Sequence, residues 1–185
     1  MPRLTGIVAF AVAASLAAAA FAGERGAASP GTARCSASSL PAGRAVAGLP
    51  RAVASMRLRI IAAARRCDYA ALERLGKAGR GFTFTYGAER SAAAFWRALE
   101  RAGPAPRPMA ALVKVLSMPF TRDEARSYTW PPAHRERPTA RDWQALRTLY
   151  PAALIERMRR GGSGYLGYRV GITAAGDWQY FVAGD

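Results

Sequence analysis

Tyr165-Leu-Gly-Tyr-Arg-Val-Gly-Ile-Thr173, then Ala174-Ala-Gly-Asp177, then Trp178-Gln-Tyr-Phe-Val-Ala183 bring the chain to its end. The first and last of these runs are rich in β-branched and aromatic residues, and the middle one is turn chemistry. Together they predict an antiparallel β-hairpin. A type I turn followed by Gly176 in the left-handed conformation makes a three-residue loop with a bulge. That register pairs Thr173 with Asp177, Ile172 with Trp178, Val170 with Tyr180 and Tyr168 with Val182. Leu166, Tyr168, Val170, Ile172, Trp178, Tyr180 and Val182 then form the core face. Gly167, Arg169, Gly171, Gln179, Phe181 and Ala183 form the other. A slip of one residue exchanges the faces of the second strand, so the expectation is sharp.

Upstream of the hairpin, helix-period stretches alternate with two further β-prone ones. Met56, Ile60, Ala63, Ala64 and Cys67 share one helical face from Arg51 onward, away from the arginines of that stretch. Asp68 is placed to cap a short helix ending near Lys77. Phe82-Thr-Phe-Thr-Tyr86 alternates at period two and predicts a strand. Ser91 is a cap for a helix to about Ala102, and Pro108 opens another that Pro119 ends. Arg122 to Arg126 is expected as a charged loop, and Tyr128-Thr-Trp130 as a short strand. Thr139 and Asp142 resemble a capping box, and Pro151 begins a last helix. The fold class is α+β: an antiparallel sheet of three or four strands packed on several helices and closed by the C-terminal hairpin.

The N-terminal part has a different character. Arg3 precedes an apolar run from Leu4 to Ala20, and Ala20-Phe21-Ala22 offers a small-x-small cleavage pattern. These are the marks of a signal peptide over residues 1–22, favoured over an uncleaved anchor because alanine is a weak membrane residue. Residues 23–50, rich in Gly, Ala, Ser and Pro, predict a flexible N-terminal segment. A single domain is expected over 51–185, periplasmic or secreted, with no membrane span after cleavage. An oxidising compartment permits Cys35 and Cys67 to pair, although Cys67 equally suits a small apolar helix position, and the sequence leaves both open.

The chain carries 27 Lys and Arg against 12 Asp and Glu, a formal charge of +15. Lys77 and Lys114 are its only lysines. The arginines are dispersed rather than gathered on one element with interleaved aromatics, which argues against nucleic acid as the partner. An Arg-rich composition of this kind is what a GC-rich genome spells; the functional alternative is an anionic partner such as an envelope polyanion.

Catalytic constellations are sparse. Gly162-Ser-Gly164-Tyr-Leu-Gly167 has the letters of a dinucleotide fingerprint but the reverse context, with a helix before it and a strand after. His134, the only histidine, sits in a proline-bounded loop with no nucleophile elbow in the chain. Asp123, Glu124, Glu136 and Asp142 supply carboxylates for a hydrolase with its site in the 122–142 loops, yet no spacing fixes a catalytic pair. Two cysteines and one histidine do not make a metal set, and no cofactor is expected. What remains is Arg169 between glycines and opposite Phe181, a planar cation in an aromatic setting suited to an anion. The pair Tyr128 and Trp130 is a second binding candidate, with core packing as its other role.

Five stretches resemble an uncharacterised family of exported bacterial proteins, especially of GC-rich Gram-negative species. They are the run from Met56-Arg57 through Ala62-Ala-Ala-Arg65, then Phe95-Trp-Arg97, Leu116-Ser-Met-Pro119, Tyr128-Thr-Trp-Pro131 and the run from Tyr168 to the closing Trp178-Gln-Tyr-Phe-Val-Ala-Gly-Asp185. The resemblance covers about residues 50–185. It implies an intact globular domain whose C-terminus is an integral strand, and no established activity. The expected function is therefore non-catalytic binding of an anionic envelope component or a protein partner, with a small envelope hydrolase as the alternative.

Overall fold

Antiparallel pairing runs in chain order through the sheet of the computed structural model, which describes residues 35–103, 105–123, 127–161 and 164–184. The expected signal peptide lies outside the described residues. Four strands, β1 (Thr121–Arg122), β2 (Ser127–Trp130), β3 (Arg169–Thr173) and β4 (Trp178–Val182), are ordered β1-β2-β3-β4. Six helices accompany them: α1 (Arg51–Arg65), α2 (Tyr69–Lys77), α3 (Ala92–Ala102), α4 (Pro108–Leu116), α5 (Ala140–Ala145) and α6 (Ala152–Arg160). The class is α+β, closed by the β3-β4 hairpin. No helix among the described residues is long and apolar enough to cross a membrane.

Three of the helices, α2, α3 and α5, begin where side chains satisfy their free amides, while α1 and α6 follow Pro50 and Pro151 with no side-chain cap. Asp68 accepts from the Ala71 amide at 2.9 Å, Ser91 from the Ala94 amide at 3.3 Å, and Thr139 and Asp142 close a reciprocal box at α5. α4 is different. Arg107 provides no side-chain cap, and the work passes to two distant residues. Glu100 Oε1 accepts from the Met109 amide at 2.7 Å, and Ser36 Oγ accepts from the Ala110 amide at 3.0 Å.

α1 and α4 lie against each other and on β3, while α2 lies on β4. Between them Ile60, Leu112, Leu116, Trp130, Val170, Ile172 and Trp178 are fully enclosed. Around Trp178 an aromatic cluster forms, with ring centroids 4.7 Å away at Phe82 and 5.9 Å away at Trp96. Residues 35–49, part of the stretch expected to be flexible, contain no helix or strand but are held to the helices. The Cys35–Cys67 disulfide, the Ser36–Glu100 bond and the Arg57 bond to the Arg44 carbonyl hold them.

The hairpin needs a correction beyond its turn. Gly176 is left-handed (φ +94°), Thr173 donates to the Asp177 carbonyl at 2.9 Å, and Ile172 faces Trp178 as expected. A bulge then falls at Gly171/Ile172 and leaves Gln179 unopposed, so Val170 pairs with Phe181, Gly171 with Tyr180 and Arg169 with Val182. Phe181 takes the core slot assigned to Tyr180, and Tyr180 crosses to the opposite face. The cause is Gly171: any Cβ there would collide with the Tyr180 ring, which covers the bare glycine backbone. Glycine inside a strand commonly marks such a bulge, and the exchange seats the wholly apolar ring in the core while the phenol keeps a polar face.

Two further expectations change. Phe82–Tyr86 is no full strand; Thr83 alone makes a parallel bridge to Tyr180, donating to the Gln179 carbonyl at 2.9 Å and accepting from the Phe181 amide at 3.0 Å. Phe82 and Phe84 still lie on Trp96, and Phe82 on Trp178, but Tyr86 is 57% exposed, so the alternation holds for two of the three rings and the ladder does not form. Arg122, expected as the start of a charged loop, lies with Thr121 in the edge strand β1.

Candidate functional site

With one face of the sheet packed on helices, the other carries Thr121, Thr129, Gly171, Tyr180 and Arg169, by alternation along the register. A helical turn at Pro132–His134 and the residues after it rise beside this face. They enclose a cleft of about 620 Å³, whose lining includes Thr121, Asp123, Thr129, His134, Glu136 and Tyr180. Arg122 and Arg135 also line it.

The floor is polar and ordered. The Thr121 and Thr129 hydroxyls bond each other at 2.7 Å, and Asp123 Oδ1 accepts from the Ser127 amide at 2.7 Å, which ties the residue after β1 to the first residue of β2. Burial pushes the Tyr180 phenol up to about 12, with Asp123 adding to the shift and Arg169 opposing it, so it stays a neutral hydroxyl at physiological pH. His134 stands exposed at the mouth. Partial desolvation lowers its imidazole pKa, Arg169 acts in the same direction, and Asp123 acts against them.

Arg169 is buried at the side of this face. Its Nη2 donates to the Gly184 carbonyl at 2.7 Å and to the Tyr86 hydroxyl at 3.0 Å, and its guanidinium carbon lies 5.9 Å from the Tyr86 ring centre. The aromatic neighbour of Arg169 is thus Tyr86, not Phe181. The other binding candidates are interior: Phe181, Trp130 and Tyr128 are 1%, 0% and 6% exposed, which leaves them no surface for a ligand. Tyr128 and Trp130 pack on Phe120 with centroids 5.6 and 5.8 Å apart.

The candidate carboxylates are also dispersed by role. Asp142 is engaged by Thr139 and by the Arg135 guanidinium, and is therefore the capping residue of α5. Asp177 belongs to the hairpin turn, and Glu124 lies outside the described residues. Asp123 and Glu136 share the cleft with His134, yet among the described residues no side-chain hydrogen bond joins the imidazole to a carboxylate or a hydroxyl. Among the described residues the Thr121 and Thr129 hydroxyls bond each other and no basic side chain, whereas an activated nucleophile stands within hydrogen-bond reach of its base. In the Gly162–Gly167 motif, Gly162 and Ser163 lie outside the described residues; Gly167 packs on Tyr165 and Tyr150, and a strand follows, so no helix amides face an anion there. Among the described residues no three metal-ligating side chains gather.

Sequence reasoning singled out Arg169, His134, Asp123 and Glu136, and missed Tyr180, Tyr86 and the threonine pair. Gly171 was the available signal, since a glycine facing an aromatic across a hairpin marks where the ring turns outward. Compared with protein-family models, with curated proteins and with solved structures, the chain has no match in any of the three.

Proposed function

We propose that this is an exported cell-envelope protein that binds an anionic envelope component, without catalysis, in the cleft on the open face of its sheet. The observation that carries the proposal is the gathering of donors there. Thr121, Thr129 and Tyr180, which carry hydroxyls, and the arginines Arg122 and Arg135 line one concavity, with the Arg135 guanidinium also paired to Asp142 and with Arg169 set beside the cleft. Of the cleft's carboxylates, Asp123 is already engaged by a backbone amide and Glu136 is exposed. Hydroxyls and guanidinium groups in a partly desolvated setting are the donor set for phosphate, sulfate or carboxylate groups. The Cys35–Cys67 disulfide supports an oxidising compartment, in keeping with the apolar leader and its cleavage pattern.

Titration with lipopolysaccharide fragments, followed by backbone amide shifts, tests the proposal. Shifts should concentrate on β1, β2 and Tyr180, and Arg122→Glu should weaken binding about tenfold, as one lost charge-assisted contact would. Binding that ignores Arg122→Glu and Tyr180→Phe but disappears in moderate salt would assign the affinity to the dispersed arginines instead. Turnover of an envelope polymer that His134→Gln abolishes would replace binding with the hydrolase alternative.

A further inference from the structure

A second concavity lies between the coil 40–46, Arg57 of α1, the C-terminal end of α4 and the end of α5. Its volume is about 510 Å³, within the range of small-molecule sites. Leu40, Val46, Val113, Met118 and Ala145 make apolar walls. The charged residues that line it are all basic: Arg44, Arg57 and Lys114.

Arg57 is 2% exposed, and none of the ion pairs among the described residues includes it. Its Nε donates to the Leu116 carbonyl at the end of α4 and its Nη1 to the Arg44 carbonyl, each at 2.7 Å. Nη2 donates to no described protein atom. Two carbonyls and a helix C-terminus offset part of the cost of burying this cation but bring no full negative charge. Desolvation accordingly lowers its pKa. A buried guanidinium with one nitrogen to spare, cationic neighbours at the rim and an apolar wall define a complementary ligand: one anionic head and one apolar tail.

We infer that this groove binds a single-chain aliphatic carboxylate, its head on Arg57 with Lys114 and Arg44 at the rim and its chain along Val113, Met118 and Ala145. The inference is independent of the sheet-face cleft, which shares none of these residues.

Calorimetric titration of the full disulfide-bonded protein with decanoate, decanol and decyltrimethylammonium tests it. Decanoate should bind at least tenfold more tightly than decanol, and the cation should not compete with it. Lys114→Glu, at a partly exposed position, should weaken decanoate at least tenfold. Ala145→Trp, which fills the groove from its edge, should abolish binding, whereas Tyr180→Phe should leave it unchanged. Arg57→Gln should remove the preference for decanoate over decanol; the two surface variants decide the matter if that protein does not fold. Absent decanoate binding, equal affinity for decanol, or an Ala145→Trp protein that binds normally would overturn the inference.

Discussion

Glu100 is 3% exposed and has no cationic partner among the described ion pairs, yet three donors converge on it. Ser36 Oγ and the Met109 amide reach Oε1, each at 2.7 Å, and the Ser36 amide reaches Oε2 at 3.3 Å. One carboxylate thus caps α4 and fastens the coil at Ser36, next to Cys35. Glu100→Ala would strand those donors in the interior, and a loss of about 2–4 kcal/mol in chemical denaturation is expected. Glu100→Gln, which keeps one acceptor, should lose less. Asp142 provides a pH-dependent counterpart. Burial by itself raises its carboxyl pKa, but the Arg135 guanidinium and the Thr139 hydroxyl and amide together pull it below its ordinary value. The bonds therefore contribute fully above the unfolded value, about 4, and are lost as pH falls through the folded one. Melting temperatures of wild type and Asp142→Asn should differ near pH 7 and converge near pH 2. A gap that persists in acid would show that the carboxylate charge is not what Asp142 contributes.

In the β3-β4 hairpin, the contact between Gly171 and the Tyr180 ring decides which aromatics reach the cleft and which reach the core. Gly171→Val should displace the ring and cost about 1–3 kcal/mol, while Tyr180→Ala should recover part of that loss, because the two changes share one contact. Strict additivity in the double variant would mean that the ring does not depend on the bare glycine. The same element shows what the sequence could and could not tell. Helices were legible because their determinants are local: Asp68, Ser91 and Thr139 each cap a helix from within four residues. β1 was not, since two residues cannot display a period. The cap of α4 was not, because Ser36 acts from 74 positions away. The hairpin turn was legible from Gly176, but the bulge after it depends on which ring fits over Gly171, a tertiary contact. Since the cleft's contents follow from that register, Arg169, His134, Asp123 and Glu136 were found by residue type, whereas Tyr180 was sent to the core and Phe181 to the surface.

Across the whole molecule, two attachments close the core, and they differ in kind. The Cys35–Cys67 disulfide spans 32 positions, and on the chain-entropy account a loop of that size stabilises by about 3.5 kcal/mol. Cys35→Ser with Cys67→Ser should lower stability by about 2–4 kcal/mol and leave the sheet intact, so protection of β3 and β4 amides from exchange would fall in step with global stability. The C-terminal strand is the other attachment, and it acts through burial. Trp178 and Phe181 are 0% and 1% exposed and meet Phe82, Trp96 and Tyr168 at centroid distances of 4.7 to 5.9 Å. Fully burying a large apolar side chain stabilises by about 1.5–3 kcal/mol, so losing these two and uncovering their neighbours removes much of a typical domain's margin of about 5–15 kcal/mol. It also strips β3 of one of its two partners and leaves an unpaired edge beside exposed aromatics, the arrangement that recruits a second chain. Deleting Trp178 to Asp185 should therefore yield aggregated protein even with the disulfide formed. A truncated chain that stays soluble and melts cooperatively would show that the helices form a core of their own, with the hairpin an addition to it.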